Sequence, residues 1–399
     1  MSKRADDICP LSQEISLGAV QPHSTPIYLT SVYQCQDPDQ ALAMLAGSQA
    51  GYVYQRDGHP NGDLLAEKCR QLHQAGWALV TSSGMAALSL AALGYLSAGD
   101  HVVVSHQVYG RSLQLLDREM ARLGVATAVV DISDLNQVET AINDRTRLVL
   151  IETISNPMLQ VADIRQLAKL AHAHDARLLV DNTFASPTVC RPLDAGADLV
   201  MESISKMMNG HSDVMLGLLC GRDKDGRAKD EARLRDVLSV WGLASSPFDC
   251  WLAARGLATL HLRMDRACAS AERLAIHLQQ ASSVKQVVYP TQADRDQRQL
   301  VDTQFLDNQA GCMVTFTLQG GREAAVRFMH AAAKIPFCPS LGEVSTTLSH
   351  PASTSHRGLS PEQQRQLGIE AGTLRLSVGT ESSAYVLQAV DEGLAAAGK

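Results

Sequence analysis

Short apolar runs that alternate with helical patterns constrain the fold of this chain most. Runs of strand length occur at residues 77–80, 101–105, 126–130, 147–152, 177–181 and 198–201. Helical periodicity separates most of them, at residues 112–123, 138–143 and 164–173. Alternation of this kind with mostly apolar strands predicts an α/β fold around a predominantly parallel sheet. In such sheets ligands collect at the carboxyl ends of the strands.

The chain of 399 residues is too long for one small core and predicts at least two domains. Residues 1–57 hold several prolines but few regular periods, which indicates an arm that lies on another subunit. Residues 58–248 carry the α/β alternation. Residues 249–399 carry a long helical stretch (251–278), strand-like runs (284–289, 312–318) and a helix (322–333), which predict a smaller α+β domain.

Charge and cysteine usage exclude several classes of function. The net charge is −7 with no basic block, which argues against nucleic acid or an anionic membrane surface as a partner. No apolar run approaches the length of a membrane span. The nine cysteines are scattered without a Cys-x-x-Cys pair, so we expect reduced thiols in a cytoplasmic protein. The thirteen histidines show no metal-binding spacing, so we expect no metal site.

Polar side chains follow several of the predicted strands. Because the carboxyl ends of parallel strands meet at one edge of a sheet, we expect these side chains to share one site. They are Tyr109, Glu152, Asn156, Asp181, Ser203 and Lys206.

Lys206 follows a buried strand directly and stands between small hydroxyl residues and the turn Asn209-Gly210. In a dry pocket the pKa of its amine falls, and the neutral amine can form an imine with a carbonyl. Taken by itself, the alternative of an ordinary surface lysine stays open.

A second signal is the stretch from Thr81 to Leu93, in which small polar residues precede an apolar helix. The free backbone N–H groups at Gly84 and Met85 would bind a phosphate at the helix N-terminus. Plain capping of the helix by Ser82 or Ser83 is the alternative.

The end of the arm places Tyr52, Tyr54 and Arg56 close together in sequence. A planar guanidinium matches phosphate oxygens and a phenol donates one more bond, so this group could grip an anion. A surface loop with a chance pair of aromatic residues is the alternative.

One cofactor, pyridoxal phosphate (PLP), explains these groups together. Gly84 and Met85 would bind its phosphate, with further hydrogen bonds from Ser203 and Ser205. The ring of Tyr109 would stack on the pyridine, Asp181 would keep the ring nitrogen protonated, and Lys206 would form the imine.

Several motifs are specific enough to name a family. From Thr25 to Gly379 the chain resembles the PLP-dependent Cys/Met-metabolism (trans-sulfuration) enzymes of the aspartate-aminotransferase fold type. The resemblance implies PLP fold type I, with a mostly parallel seven-stranded sheet and a smaller C-terminal domain. The motifs are Tyr52-Val-Tyr-Gln-Arg, Ser83-Gly-Met-Ala-Ala, Val108-Tyr-Gly, Glu152-Thr-Ile-Ser-Asn-Pro, Val180-Asp-Asn-Thr-Phe, Ser203-Ile-Ser-Lys, Asn209-Gly-His-Ser-Asp, Ser246-Pro-Phe-Asp-Cys-Trp and Arg375-Leu-Ser-Val-Gly.

The resemblance also implies residue roles. Lys206 would be the Schiff-base lysine and proton carrier, Asp181 would contact the ring nitrogen, and Tyr109 would stack on the ring. The remaining implied contacts are Asn156 near the ring, Ser340 and Arg375 on the α-amino-acid part of the substrate, and Tyr54 and Arg56 on a neighbouring subunit's cofactor phosphate. That sharing requires at least a dimer, and in the family the assembly is usually a tetramer.

The expected reaction is γ-elimination at the carbon–sulfur bond of cystathionine or methionine. The motif Asn209-Gly-His-Ser-Asp resembles the lyases and cystathionine γ-synthase, whereas residues 350–361 resemble methionine γ-lyase and the O-acylhomoserine sulfhydrylases. The alternative is therefore a γ-replacing transferase, cystathionine γ-synthase or a sulfhydrylase. A scaffold without catalysis finds no support, because every expected cofactor contact is present.

Five residues depart from the family pattern. Ile204 and Ser205 replace the usual Ala-Thr before the lysine, and His59 replaces an asparagine; both changes leave the cofactor chemistry intact. Arg111 and Pro339 bear on the substrate: Pro339 removes a carboxylate that could receive the distal ammonium of cystathionine, and Arg111 adds a cation suited to an acidic leaving group.

Overall fold

The computed structural model describes Val20, residues 22–222 and residues 228–399. The first nineteen residues of the predicted arm therefore lie outside the described residues. Within the described part no helix is long and apolar enough to cross a membrane.

A seven-stranded sheet organises the first half of the chain. The strand order is β1-β7-β6-β5-β4-β2-β3, and β7 alone among these strands runs antiparallel to both of its neighbours. The expectation of a mostly parallel seven-stranded sheet is confirmed. The strands are β1 (Trp77–Thr81), β2 (His101–Ser105), β3 (Ala126–Val130), β4 (Thr146–Glu152), β5 (Arg177–Asp181), β6 (Leu199–Glu202) and β7 (Gly217–Gly221).

Strand β7 is the one strand of this sheet that the apolar pattern does not reveal. Its sequence is Gly-Leu-Leu-Cys-Gly, and the glycine at each end interrupts the apolar run. Its position requires Gly217, because a Cβ there would lie 2.1 Å from the carbonyl oxygen of Ser83. Strand β7 therefore packs directly against the start of the helix that follows β1.

Helices cover both faces of the sheet, which explains why its strands are continuously apolar. Along β2 the side chain of Val103 packs into one buried cluster, while Val102 and Val104 pack into the other. The helix predicted at 112–123 divides into α4, a π-helical turn at Leu115–Met120 and a 3₁₀ turn at Ala121–Leu123. The helices are α1 (Pro38–Leu45), α2 (Pro60–His73), α3 (Gly84–Tyr95), α4 (Gly110–Gln114), α5 (Leu135–Ala141), α6 (Ile164–His172), α7 (Ser186–Val189) and α8 (Ala228–Val240).

The second half of the chain forms a smaller α+β unit around a four-stranded antiparallel sheet of order β10-β11-β9-β8. The helix predicted at 251–278 is two helices that break at Ala258 and Thr259. The strands are β8 (Val284–Val288), β9 (Met313–Leu318), β10 (Thr347–Ser349) and β11 (Thr373–Ser377). The helices are α9 (Pro247–Leu257), α10 (Leu260–Gln279), α11 (Arg295–Gln304), α12 (Gly321–Ala331), α13 (Pro361–Gln366) and α14 (Ser383–Ala397).

The large sheet thus lies within residues 58–248 and the small sheet within 249–399. The boundaries at 57/58 and 248/249 remain predictions. The two sheets bring the carboxyl ends of β4, β5 and β6 close to the loop before β10 and to β11.

Candidate active site

A cavity of about 630 Å³ lies between the strand ends of the large sheet and the C-terminal unit. This volume suits a cofactor with a small substrate. Most of the expected site residues line it: Gly84, Met85, Tyr109, Asn156, Asp181, Ser203, Ser205, Lys206, Ser340 and Arg375.

One end of the cavity is the N-terminus of α3. The hydroxyl of Ser83 accepts a hydrogen bond from the N–H of Ala86 at 3.0 Å, so Ser83 caps the helix. The N–H groups of Gly84 and Met85 have no acceptor among the described residues. A Cβ on Gly84 would lie 2.9 Å from the Cβ of Ser203, so that serine borders the helix start. Capping and phosphate binding are therefore compatible here, because they use different N–H groups.

The two serines beside the lysine differ in their hydrogen bonding. The backbone N–H of Ser203 donates to the hydroxyl oxygen of Thr183 at 2.9 Å, which orients the turn. The hydroxyl of Ser205 donates to the carbonyl oxygen of Leu216 at 3.2 Å and accepts the N–H of Leu216 at 2.9 Å. Ser205 thus connects the loop that carries Lys206 to Leu216, the residue before strand β7. The sequence did not predict this contact. Phosphate binding by both serines stays a prediction.

Lys206 extends into the cavity, where its Nζ donates to Oγ of Ser340 at 2.9 Å. Burial, and then the nearby charge of Arg375, lower the pKa of the amine. The loop that carries Ser340 packs directly on the lysine backbone. Gly342 has φ +82° and a Cβ there would lie 2.5 Å from the nitrogen of Met207, so this position requires glycine.

Asp181 ends strand β5 and accepts the backbone N–H of Thr183 at 3.0 Å. Burial raises the pKa of its carboxyl to about 6, with a smaller contribution from Glu202, while the Thr183 bonds act in the opposite direction. A partly desolvated carboxylate of this kind gains stability when a protonated ring nitrogen lies beside it.

Glu152, at the end of β4, is a residue whose role the sequence did not reveal. It is 8% exposed and one of its oxygens, Oε1, accepts the backbone N–H of Tyr109 at 2.6 Å. Burial, and then Asp181, raise the pKa of this carboxyl well above its ordinary value. Glu152 therefore holds the start of α4, and the ring of Tyr109 remains 40% exposed at the cavity.

Arg375, on strand β11, contributes a guanidinium group to the lining of the cavity. It is 3% exposed; one terminal nitrogen donates to Oδ1 of Asn156 at 2.6 Å and the other to the carbonyl oxygen of Ser340 at 3.3 Å. Its Nε has no partner, and no carboxylate of the described residues forms an ion pair with it. Burial lowers the pKa of this guanidinium to about 10, whereas Glu152 acts to raise it. A buried guanidinium with a free donor fits a substrate carboxylate.

Tyr54 and Arg56 do not line this cavity. They lie on the arm, where an antiparallel bridge joins Tyr54 to Val32 and the guanidinium of Arg56 lies 5.2 Å from the centre of the Tyr54 ring. Tyr54 is 41% exposed. Contact with a neighbouring subunit's cofactor stays a prediction.

The two departures from the family pattern that bear on the substrate, Arg111 and Pro339, lie in different places. Pro339 lines the cavity, whereas Arg111 is exposed on α4 and donates to Oε1 of Gln114 at 2.7 Å. The sequence did not indicate several further lining residues, because all but Ser112, which lies in α4, are in loops without periodicity. Among them are Ser112, Thr183, Phe184, Ser212, Cys338, Glu343 and Ser355.

The donor set fits PLP. Free helix N–H groups beside Ser203 suit its phosphate, half-buried Asp181 suits its ring nitrogen, and Lys206 has the lowered pKa that imine formation needs. Among the described residues no group of three or more His, Cys, Asp or Glu could hold a metal ion.

Comparison with known proteins gives the same assignment of cofactor. A family model described as "Cys/Met metabolism PLP-dependent enzyme" matches residues 12–395. The chain is 36% identical to an L-methionine gamma-lyase from Porphyromonas gingivalis, covering 93% of this chain and 92% of the relative. It is 35% identical to an O-succinylhomoserine sulfhydrylase from Pseudomonas aeruginosa, covering 94% of this chain and 91% of the relative.

The fold agrees with solved structures as well. A cystathionine gamma synthase from Xanthomonas oryzae, determined in complex with cystathionine, superposes with a TM-score of 0.88 at 35% identity. The match covers 94% of this chain and 93% of that structure. The relatives thus include enzymes named as lyases and enzymes named as synthases or sulfhydrylases.

Proposed function

Because this chain belongs to the Cys/Met metabolism family of PLP-dependent enzymes, we propose that it cleaves the carbon–sulfur bond at the γ-carbon of cystathionine or methionine. The observation that carries the proposal is the group Lys206, Ser340 and Arg375. The lysine Nζ lies 2.9 Å from Ser340 Oγ, and Arg375 bonds the carbonyl of the same serine. A basic amine thus lies beside a carboxylate-binding cation, as chemistry at the α-carbon of an amino acid requires.

The cofactor supplies an electron sink conjugated with the α-carbon of the substrate. Gly84, Met85, Ser203 and Ser205 would hold its phosphate, Asp181 would keep its ring nitrogen protonated, and Tyr109 would stack on its ring. Asn156 orients Arg375 through the 2.6 Å bond to its guanidinium.

The proposed reaction needs protons moved at two adjacent carbons. Nζ of Lys206 would take the proton from Cα of the substrate, release it and then take a proton from Cβ, because its lowered pKa makes the neutral amine accessible. The hydroxyl of Tyr109 would donate a proton to the leaving sulfur, which departs as a thiol. In sum, the substrate and one water yield a thiol, 2-oxobutanoate and ammonium.

Replacement is the second candidate function, in which a thiol adds to the unsaturated four-carbon unit. The relatives named as a sulfhydrylase and a synthase support it. Elimination is favoured because the lyase-like motifs span more of the chain, and because the relative at 36% identity is named as a methionine gamma-lyase. Arg111 does not line the cavity and bonds Gln114 instead, which weakens one reason to expect an acidic leaving group.

A substrate panel tests this proposal. Cystathionine, methionine and O-acylhomoserines are supplied separately, with and without cysteine or sulfide, and 2-oxobutanoate is measured against thioether or homocysteine. We expect 2-oxobutanoate from cystathionine or methionine without added thiol. Efficient thiol addition to an O-acylhomoserine, with negligible keto acid from either sulfur amino acid, would establish replacement instead.

We also propose that the active unit is a dimer in which Tyr54 and Arg56 reach the partner's cofactor phosphate, and that two dimers form a tetramer. The exposure of Tyr54 and the absence of both residues from the lining of their own cavity support this. Arg56→Ala and Lys206→Ala subunits are mixed to form hybrids. Since one hybrid site then carries both wild-type residues, some activity should return; hybrids without activity would refute sharing.

The proposed location is the cytoplasm. Every cysteine in the described part of the chain is a free thiol, as in a reducing compartment. Labelling of the protein in intact and fractionated cells tests the location.

A further inference from the structure

Three carboxylates line the cavity, and the proposed function uses two of them. Asp181 serves the cofactor and Glu152 holds the start of α4. The third, Glu343, accepts hydrogen bonds from the hydroxyls of Ser212 at 3.1 Å and Ser345 at 2.8 Å. No lysine, arginine or histidine within the described ranges forms an ion pair with it. Glu343 is thus a half-buried carboxylate without a counter-cation.

The backbone on both sides of Glu343 is fixed. The N–H of Gly342 donates to Oγ of Ser377 at 2.8 Å, and the N–H of Val344 donates to the carbonyl oxygen of Gly210 at 2.9 Å. Gly342 also packs on the backbone of Lys206 and Met207. The carboxylate therefore stands on an anchored loop, three residues after the serine that bonds the catalytic amine.

Anion-binding and cation-binding groups form two separate sites in this cavity. Arg375 bonds Asn156 and Ser340, whereas Glu343 bonds Ser212 and Ser345. If Arg375 holds the α-carboxylate, the chain of the substrate extends through the rest of the cavity. A carboxylate with two hydroxyls there suits a primary ammonium, which has three donors.

We propose that Glu343, supported by Ser212, binds an ammonium group in the part of the substrate that leaves with the sulfur. This inference rests on the proposed carbon–sulfur cleavage and names its substrate class. The preferred substrate is a thioether that joins two amino acids, such as cystathionine. Methionine has only a neutral methylthio group at that place, so it cannot use Glu343.

The test compares two substrates in one variant. Glu343→Gln keeps the shape and the acceptor oxygen but removes the charge. We expect kcat/KM for cystathionine to fall by about 10- to 100-fold, the value of a charged hydrogen bond, while kcat/KM for methionine changes by less than about 3-fold. Glu343→Lys should lower cystathionine turnover further and also spare methionine. Glu119→Gln, on the surface pair with Arg122, is the matched control.

Equal losses for both substrates would overturn the inference, because they would mean that Glu343 only supports the loop. An unchanged kcat/KM for cystathionine would overturn it as well. Failure of the proposed function is separate, since it shows as absent elimination in the wild-type enzyme. In that event calorimetric binding of cystathionine to the PLP-loaded protein decides: weaker binding by Glu343→Gln than by wild type supports the inference, and equal binding refutes it.

Discussion

The two walls of the cavity are built differently. The wall proposed to face the cofactor comes from the large sheet, where Asp181 ends β5 and Lys206 follows the neighbouring parallel strand β6. The wall that faces the substrate comes from the C-terminal unit, where Ser340 and Glu343 lie in a loop and Arg375 on β11. Strand ends hold side chains in a fixed register, whereas loops accept substitution. Cofactor chemistry is therefore set by the fold, and substrate choice by this particular chain.

The largest expected effect is on the cofactor wall. In the proposed mechanism, Lys206→Ala removes both the amine that forms the imine and the group that moves protons at Cα and Cβ. We expect kcat/KM to fall by at least about 10⁴-fold, since proton transfer and covalent catalysis are lost together. Production of 2-oxobutanoate under steady-state conditions is the measurement. Lys68→Ala, on the exposed side of α2, is the control and should retain activity; similar losses in both variants would contradict the assignment.

The same division explains what the sequence could predict. Gly84, Asp181 and Lys206 lie at the end of apolar runs or shortly after them. Because the carboxyl ends of parallel strands meet at one edge of a sheet, their common position could be predicted from the sequence. Glu343 does not follow an apolar run of strand length. Its position depends on a loop that is fixed by the tertiary contacts of Gly342.

Hydrogen bonds between distant segments also could not be predicted from the sequence. Ser205 engages the backbone of Leu216, and Glu152 engages the backbone of Tyr109, because tertiary folding brings these segments together. The break of the long helix at Ala258 and Thr259 is equally invisible, since apolar periodicity continues on both sides of it.

The next effect concerns the substrate wall. Arg375→Met removes the buried guanidinium but keeps an apolar side chain in its place. We expect KM for cystathionine and methionine alike to rise by about 10- to 100-fold, because the α-carboxylate loses a charged, two-point hydrogen bond. Initial rates over a range of both substrates give KM and kcat. Arg365→Met, at a surface pair with Glu362, is the control. A change confined to one substrate would place Arg375 elsewhere than at the shared carboxylate.

A smaller effect links the two walls through the pKa of Lys206. Burial and Arg375 lower this pKa from the ordinary 10.5, so the neutral amine increases as pH rises through a midpoint below that value. The rate at which cofactor-free protein captures PLP should therefore rise with pH and level off below pH 10.5. Arg375→Met should move the midpoint upward, because a like charge is removed. Stopped-flow absorbance measures the rate; a downward or absent shift would show that the Arg375 charge does not reach Lys206.

The separation of the walls is tested most directly by titrating cofactor-free protein with PLP at pH 5 to 8. At neutral pH, Asp181→Asn should weaken PLP binding by about 10- to 100-fold, because the protonated ring nitrogen loses its carboxylate partner. Arg375→Met should bind PLP within about 3-fold of wild type. Since burial raises the pKa of Asp181 to about 6, wild-type affinity should fall below pH 6 as the carboxylate is protonated, and Asp181→Asn should lack this fall. Equal losses of PLP affinity in the two variants would contradict the division of the cavity into a cofactor wall and a substrate wall.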